Sequence, residues 1–372
     1  MSCDFIQRAH PGVRELHPYQ PGKPTSELER ELGLSQIVKL ASNENPLGCS
    51  PRVIEALREA ASEVHRYPDA NGFELKKALS HHLGCGPEQL ILGNGSNEVL
   101  ELLLRTFVTS DDEVIYSEHA FIVYELVTQS LVARAVKTPA REWGHDLEAM
   151  SRAITDKTKV VCIANPNNPT GTLLDSDELY QFIKGVPPHV LILLDEAYGE
   201  YLEPSARAPS ISWLGEFDNL ILCRTFSKAY GLAGLRLGYA VAHPRVADLV
   251  NRLREPFNTS LLAQAAAIAA LGDSDFIEQS FELNRVQKLR LESFLQELQV
   301  DYISSHGNFI TLDLGQPAAP FYQALLALGV IVRPIAGYGM PNHLRVTIGT
   351  EQENQIFMDA LKRVLKLAEN DG

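Results

Sequence analysis

The stretch LILCRTFSKAYGLAGLRLGYAVA, running from Leu220 to Ala242, decides the fold. It opens on the apolar run Leu220–Cys223 and closes on a second one, Gly238–Ala242. Between them stand Thr225, Ser227, Lys228 and Arg236, spaced by glycines. Continuous apolar runs of this length are expected of strands covered on both faces, whereas a half-solvated strand alternates. Working outward, five more strand candidates precede it, most of them continuous apolar runs: Gln89–Leu92, Glu113–Tyr116, Val132–Val136, Lys159–Ala164 and Val190–Leu194. Helical patterns separate them at Glu98–Val108, Phe121–Ser130, Leu147–Ile154 and Ser176–Lys184. Ser176 reads as an N-cap, with Asp177 and Glu178 complementing the dipole of the first turn. Alternating strands and helices predict an α/β unit, a mostly parallel seven-stranded sheet with helices on both faces.

The pattern changes after residue 260. Long helical stretches at Leu261–Leu271 and Phe276–Leu298 precede strand-like runs at Asn308–Leu314, Val330–Pro334 and Leu344–Ile348. A last helix is expected over Gln352–Ala368. This predicts a large domain over 50–260 and a smaller α+β domain built from 1–49 and 261–372. The Pro/Gly-rich start from Pro11 to Pro24 and the segment Ile37–Ser42 are expected to pack on the smaller unit.

The composition narrows the function classes. The 372 residues are 45% hydrophobic and 22% charged, which excludes disordered, collagenous and coiled-coil chains. With 33 basic against 47 acidic residues the formal net charge is −14, so nucleic acid and anionic membrane are not expected partners. An anionic ligand would need a local positive site. Cys3, Cys49, Cys85, Cys162 and Cys223 are odd in number and lack zinc-site spacing, so neither a metal nor a disulfide framework is expected. No apolar run has the length of a membrane span, and Met1–His10 lacks a signal-peptide core. A cytoplasmic protein is expected.

Ligands of such sheets bind beyond the carboxyl ends of the strands, so polar residues just after each run are site candidates. Leu92 is followed by GNGSNE and a helix, a set of free N–H groups suited to phosphate and equally to an ordinary capped turn. Ala164 is followed by NPNNPTG, a stiff irregular loop. Leu194 is followed by DEAY, which leaves the carboxylate Asp195 at the end of an apolar run. Such a carboxylate is costly unless something cationic meets it. Cys223 is followed by RTFSKAYGLAGLRLG, where one amine, Lys228, is crowded by hydroxyls and Arg236. Taken singly, each is a common loop.

Taken in order, these motifs resemble the fold-type I pyridoxal phosphate enzymes, and among them the histidinol-phosphate aminotransferases. LASNENPLG (Leu40–Gly48), RYPD (Arg66–Asp69) and HLRVTIG (His343–Gly349) extend the resemblance along nearly the whole chain. It implies pyridoxal 5′-phosphate as cofactor and Lys228 as the amine that links to it covalently. It implies Asp195 as partner of the pyridine nitrogen, and Asn168 and Tyr198 as donors to the phenolic oxygen. Ser96, Asn97, Thr225, Ser227 and Arg236 would hold the phosphate. Phe121 would stack on the ring, at a position where many relatives carry tyrosine. Tyr67 would reach the phosphate from the second subunit of a homodimer. Tyr19, Asn43, Arg333 and Arg345 would contact substrate. The catalytic set would be Lys228, Asp195 and Tyr198.

The implied reaction is transamination between L-histidinol phosphate and 2-oxoglutarate, giving imidazole acetol phosphate and glutamate, a step of histidine biosynthesis. Two alternatives share the scaffold: an aromatic amino acid aminotransferase and a threonine-phosphate decarboxylase. A pyridoxal phosphate-dependent transcription factor would need a helix-turn-helix domain ahead of the large unit, and the stretch there, about 50 residues, is too short and not basic overall. A dinucleotide-binding oxidoreductase lacks its third glycine.

Overall fold

The computed structural model describes residues 3–16, 28, 30 and 37–370. The large sheet is built from β1 (Leu90–Gly93), β2 (Glu113–Ser117), β3 (Arg134–Thr138), β4 (Thr158–Ala164), β5 (Leu191–Asp195), β6 (Leu220–Thr225) and β7 (Gly238–Val241). Its order is β1-β7-β6-β5-β4-β2-β3. Strands β2 to β6 pair in parallel, and β7 alone runs antiparallel, between β1 and β6. The sheet is therefore mixed and mostly parallel, and the fold is α/β. The central strands β4, β5 and β6 bury nearly every side chain, which is why their sequences are unbroken apolar runs.

All seven expected strands form, displaced by one or two residues at their ends. Val132 is not in a strand: it takes a left-handed φ of 61° in the turn before β3. The expected cap at Ser176 is also corrected. Asp175 is the N-cap of the helix Ser176–Gly185, and its Oδ1 accepts from the N–H groups of Asp177 and Glu178. Aspartate caps as well as serine does, and the rule alone leaves the two neighbours degenerate.

Two helices set the site: α1 (Ser96–Phe107), entered from Gly95 after β1, and α2 (Ile122–Ser130), entered from Phe121 after β2. Both begin at the carboxyl end of the sheet. Their buried faces join one core cluster with the inner residues of β2, β4, β5 and β6. The helix Leu261–Leu271 packs its alanines on Leu90, Leu92, Leu75 and Val53, in the core of the large unit. Alanine lets helices approach closely, so this helix seats tightly against residues of the 50–260 stretch.

A second sheet holds β8 (Asp301–Ile303), β9 (Phe309–Asp313), β10 (Arg333–Pro334) and β11 (His343–Thr347), in the antiparallel order β8-β9-β11-β10. Strand β8 and the helix Ala318–Ala327 lie outside the expected pattern. As expected, the segment around Val38–Lys39 meets this unit, pairing in parallel with Val330–Ile331. The start of the chain behaves otherwise. The short helix Pro11–Arg14 lies on α2, where a Cβ on Gly12 would meet the carbonyl oxygens of Gln129 and Ser130. Residues 17–24 lie outside the described residues.

Candidate active site

Residues from the ends of β4, β5 and β6, the starts of α1 and α2, and one face of the smaller sheet line one open cavity of about 200 Å³. The lining includes Asn43, Ser96, Asn97, Phe121, Asn168, Asp195, Tyr198, Thr225, Ser227, Lys228, Arg236, Arg333 and Arg345. All of these were expected from the sequence. Two expected residues are not brought in. Tyr67 is 82% exposed and stacks on Phe257 with ring centroids 4.6 Å apart. Tyr19 lies outside the described residues.

Lys228 sits at the centre. It follows β6 by three residues, and its Nζ donates to the carbonyl of Ser42 at 3.3 Å. Burial, then the positive charges of Arg345 and Arg236, push its amine down from the ordinary 10.5 to about 7. The amine is thus half neutral near physiological pH. Asp195, the last residue of β5, is 4% exposed. Its Oδ2 accepts from Tyr124 Oη at 3.0 Å and its Oδ1 from the backbone N–H of Ala197 at 3.1 Å. Burial nevertheless raises it to about 6, against those hydrogen bonds. A carboxylate so placed is completed by a cation in the cavity.

Hydrogen bonds within the wall decide which atoms remain for a ligand. Asn43 Nδ2 donates to Tyr198 Oη at 2.9 Å, so the Tyr198 hydroxyl proton is free to point elsewhere. Burial lifts Tyr198 to about 12, so it stays protonated and donates. Arg345 Nη1 donates to Asn168 Oδ1 at 2.5 Å, which turns the Asn168 NH₂ the other way. Arg345 Nη2 is held by the Ala41 carbonyl at 2.9 Å, while its buried Nε has no partner. Arg345 and Arg333 face each other directly across the antiparallel pair β11–β10.

The opposite end of the cavity is a cradle. Gly95 enters α1 with φ 82°, and a Cβ there would strike the Arg236 guanidinium at 2.4 Å. A Cβ on Gly238 would meet the backbone nitrogen of Ser96 at 2.4 Å. Glycine is required at both places because helix start, strand β7 and Arg236 converge. Arg236 itself has φ 54°, with Nη1 donating to Ser227 Oγ at 3.2 Å. Free N–H groups at the start of α1, hydroxyls at 96, 225 and 227 and one guanidinium form an anion site of phosphate type. The described lining carries four cationic side chains and one carboxylate, in a chain of net charge −14.

The sequence reading missed Tyr124 and Tyr338. Tyr124 stands three residues after Phe121, on the same helical face, so helix periodicity was a usable signal. Tyr338 lines the cavity from the loop after β10, and no local pattern marks it. Among the described residues there is no group of three or more possible metal ligands, and no helix is long and apolar enough to cross a membrane.

Residues 35–361 match the aminotransferase class I and II family. A histidinol-phosphate aminotransferase of Haemophilus influenzae is 56% identical over 364 residues, 98% of this chain and all of the relative. The chain belongs to the aminotransferase class I and II family. A second family member, a histidinol-phosphate aminotransferase of Pseudomonas fluorescens, is 53% identical over 99% of this chain and all of its own length. Among solved structures, the histidinol-phosphate aminotransferase of Sinorhizobium meliloti in complex with pyridoxal 5′-phosphate superposes with TM-score 0.89. It is 28% identical and covers 97% of this chain and 98% of its own. An aspartate aminotransferase variant of Thermus thermophilus shares the fold at TM-score 0.83 and 23% identity. The cavity lies at the carboxyl ends of the parallel strands, where ligands of open α/β sheets bind.

Proposed function

We propose that the chain is a pyridoxal 5′-phosphate-dependent aminotransferase that moves the amino group of L-histidinol phosphate to 2-oxoglutarate. The residues fit the cofactor: the cradle of Ser96, Asn97, Thr225, Ser227 and Arg236 for its phosphate, Asp195 for its ring nitrogen. Asn168 and Tyr198 would donate to its phenolic oxygen, Phe121 would cover its ring, and Lys228 would attach to it. When bound, the cofactor supplies an aldehyde for amines and a ring that takes up the electron pair released at the substrate carbon. The chain's residues do the rest. Lys228 Nζ, brought to half neutral near pH 7 by burial and by two arginines, accepts the proton from the amine-bearing carbon. Asp195, anionic above about pH 6, would hold the cofactor's ring nitrogen and keep it protonated. Arg345, fixed by Asn168 and Ala41, orients the substrate anion through its remaining N–H.

The observation that carries the substrate reading is the pair Arg333 and Arg345, opposed across two strands and lining the cavity that holds Lys228. An amino acid carboxylate is satisfied by one guanidinium; a phosphate presents more oxygens and more charge, and rewards a second. The names of the relatives at 53–56% identity support the same substrate. The test is a half-reaction. Histidinol phosphate should bleach the visible band of the loaded enzyme, and 2-oxoglutarate should restore it. A faster response to phenylalanine would transfer the assignment to aromatic amino acids.

The proposal extends to assembly and place. The large domain is taken as 50–260 and the small one as 1–49 with 261–372, with the helix Leu261–Leu271 docked on the former. Two copies would form a homodimer with shared sites, Tyr67 of each reaching the phosphate cradle of the other. Support comes from the exposed Tyr67, Val64 (61%), Phe73 (64%) and Phe257 (41%), apolar surface close together in the sequence or by ring contact. A cytoplasmic biosynthetic role accords with the small-molecule substrates.

A further inference from the structure

Asp195 is reached by one side chain that the reaction scheme does not use. Tyr124 is wholly buried, three residues into α2, and donates its hydroxyl to Asp195 Oδ2 at 3.0 Å. The same ring packs edge-on against Phe121, centroids 5.9 Å apart at 90°. One helix turn therefore presents both the ring that covers the cofactor site and the donor that holds the carboxylate beneath it. We propose that Tyr124 is a positioning residue that holds the Asp195 carboxylate as an acceptor for the ring nitrogen of pyridoxal 5′-phosphate. This rests on the cofactor reading above.

The surroundings give the reason a donor is needed. The groups facing Asp195 are Cys162 from β4, Cys223 from β6, Tyr198 and Glu196 beyond β5, and Lys228. Cys162 and Cys223 are buried thiols held neutral, and Glu196 has the same sign as Asp195. Among the described groups facing it, Lys228 is the cation, and it carries about half a charge at pH 7. Burial dominates and favours the neutral acid, which could not keep a pyridine nitrogen protonated. Two donors oppose this, the Ala197 amide and Tyr124. The amide belongs to the turn; the phenol is the one that evolution or mutation can remove. Burial and the Asp195 charge raise the Tyr124 phenol well above its ordinary value, so it always donates.

The test uses apo-protein reconstituted with either of two ligands: pyridoxal 5′-phosphate, or the carbocyclic analogue with CH in place of the ring nitrogen. Tyr124→Phe keeps the ring and removes the donor. It should loosen pyridoxal 5′-phosphate about tenfold at pH 7 and raise the acid-side midpoint of the binding curve by about one pH unit. The analogue should bind wild type and variant alike. Should the variant fold poorly, 3-fluorotyrosine at position 124 supplies a stronger donor in the same shape and should lower the midpoint. Equal losses for both ligands, or a midpoint that moves in neither protein, would overturn the role of Tyr124. If wild type itself does not distinguish the two ligands, the cofactor reading of Asp195 fails instead.

Discussion

An amine closed in beside Arg345 and Arg236 sheds its proton more easily than a solvated lysine does, and folding feels the difference. Between about pH 7 and 10.5 the unfolded chain binds the Lys228 proton and the folded chain does not, so stability should rise with pH there. Below pH 7 both states are protonated and the penalty is constant. Urea unfolding of apo-protein should therefore show wild type gaining on Lys228→Met as the pH is raised from 7 to 10; parallel curves would disprove the depressed amine. Asp195 has the opposite sign, because its folded value of about 6 lies above the ordinary 3.8. The folded state holds the extra proton, so its contribution falls as pH rises from 4 to 6. For catalysis, Lys228→Ala should keep cofactor affinity through the phosphate cradle and lose turnover by several powers of ten. Asp195→Ala should lower turnover more than affinity for the phosphate end, read from single-turnover rates against reconstitution curves.

Strands and helices bring these residues to one place, and element-level changes should separate the two ends of the cavity. Arg333 and Arg345 are cross-strand partners on adjacent strands. Arg345 is braced by Asn168 and Ala41 and should serve every substrate anion, whereas Arg333 is the added charge suited to phosphate. Arg333→Ala should thus lower kcat/KM for histidinol phosphate by one to two powers of ten and for an aromatic amino acid far less. Arg345→Ala should lower both. Equal losses in the Arg333 variant would remove the phosphate argument. At the other end, Gly238→Ala drives a methyl into the start of α1. Cofactor dissociation, followed by fluorescence, should rise at least tenfold in that variant while the far-UV spectrum is unchanged.

At the scale of the whole molecule the residue to test is Tyr67, which is exposed and stacks on Phe257. In a homodimer with shared sites, Tyr67→Ala mixed with Lys228→Ala should yield mixed dimers holding one site with both native residues. Activity should reappear after subunit exchange, to a sizeable fraction of wild type, though each parent is nearly inactive. No recovery, in protein shown by light scattering to be dimeric, would confine Tyr67 to its own subunit or place it outside the site.

The residues from Leu220 to Ala242 carried the fold class and the lysine because local pattern expresses them directly. A strand covered on both faces must be apolar throughout, and in this class of sheet the polar residues that follow such strands collect at one edge. Polar residue types at strand ends therefore marked Asp195, Asn168, Lys228, Arg236 and the glycine-rich turn as candidates, and the resemblance of the ordered motifs gave them their expected roles. The family motifs, rather than any periodicity, singled out Arg333 and Arg345. Tertiary structure decided what depends on contacts between distant parts. It set the strand order and the antiparallel β7, the seating of Leu261–Leu271 on the large unit, and the docking of Pro11–Arg14 on α2. It also decided that Tyr124 meets Asp195 across 71 positions, and that Arg345 spends two of its donors on Asn168 and Ala41. Such pairings are chosen by which surfaces exclude water together and which buried polar atoms must be satisfied, and neither is written in the neighbours of a residue along the chain.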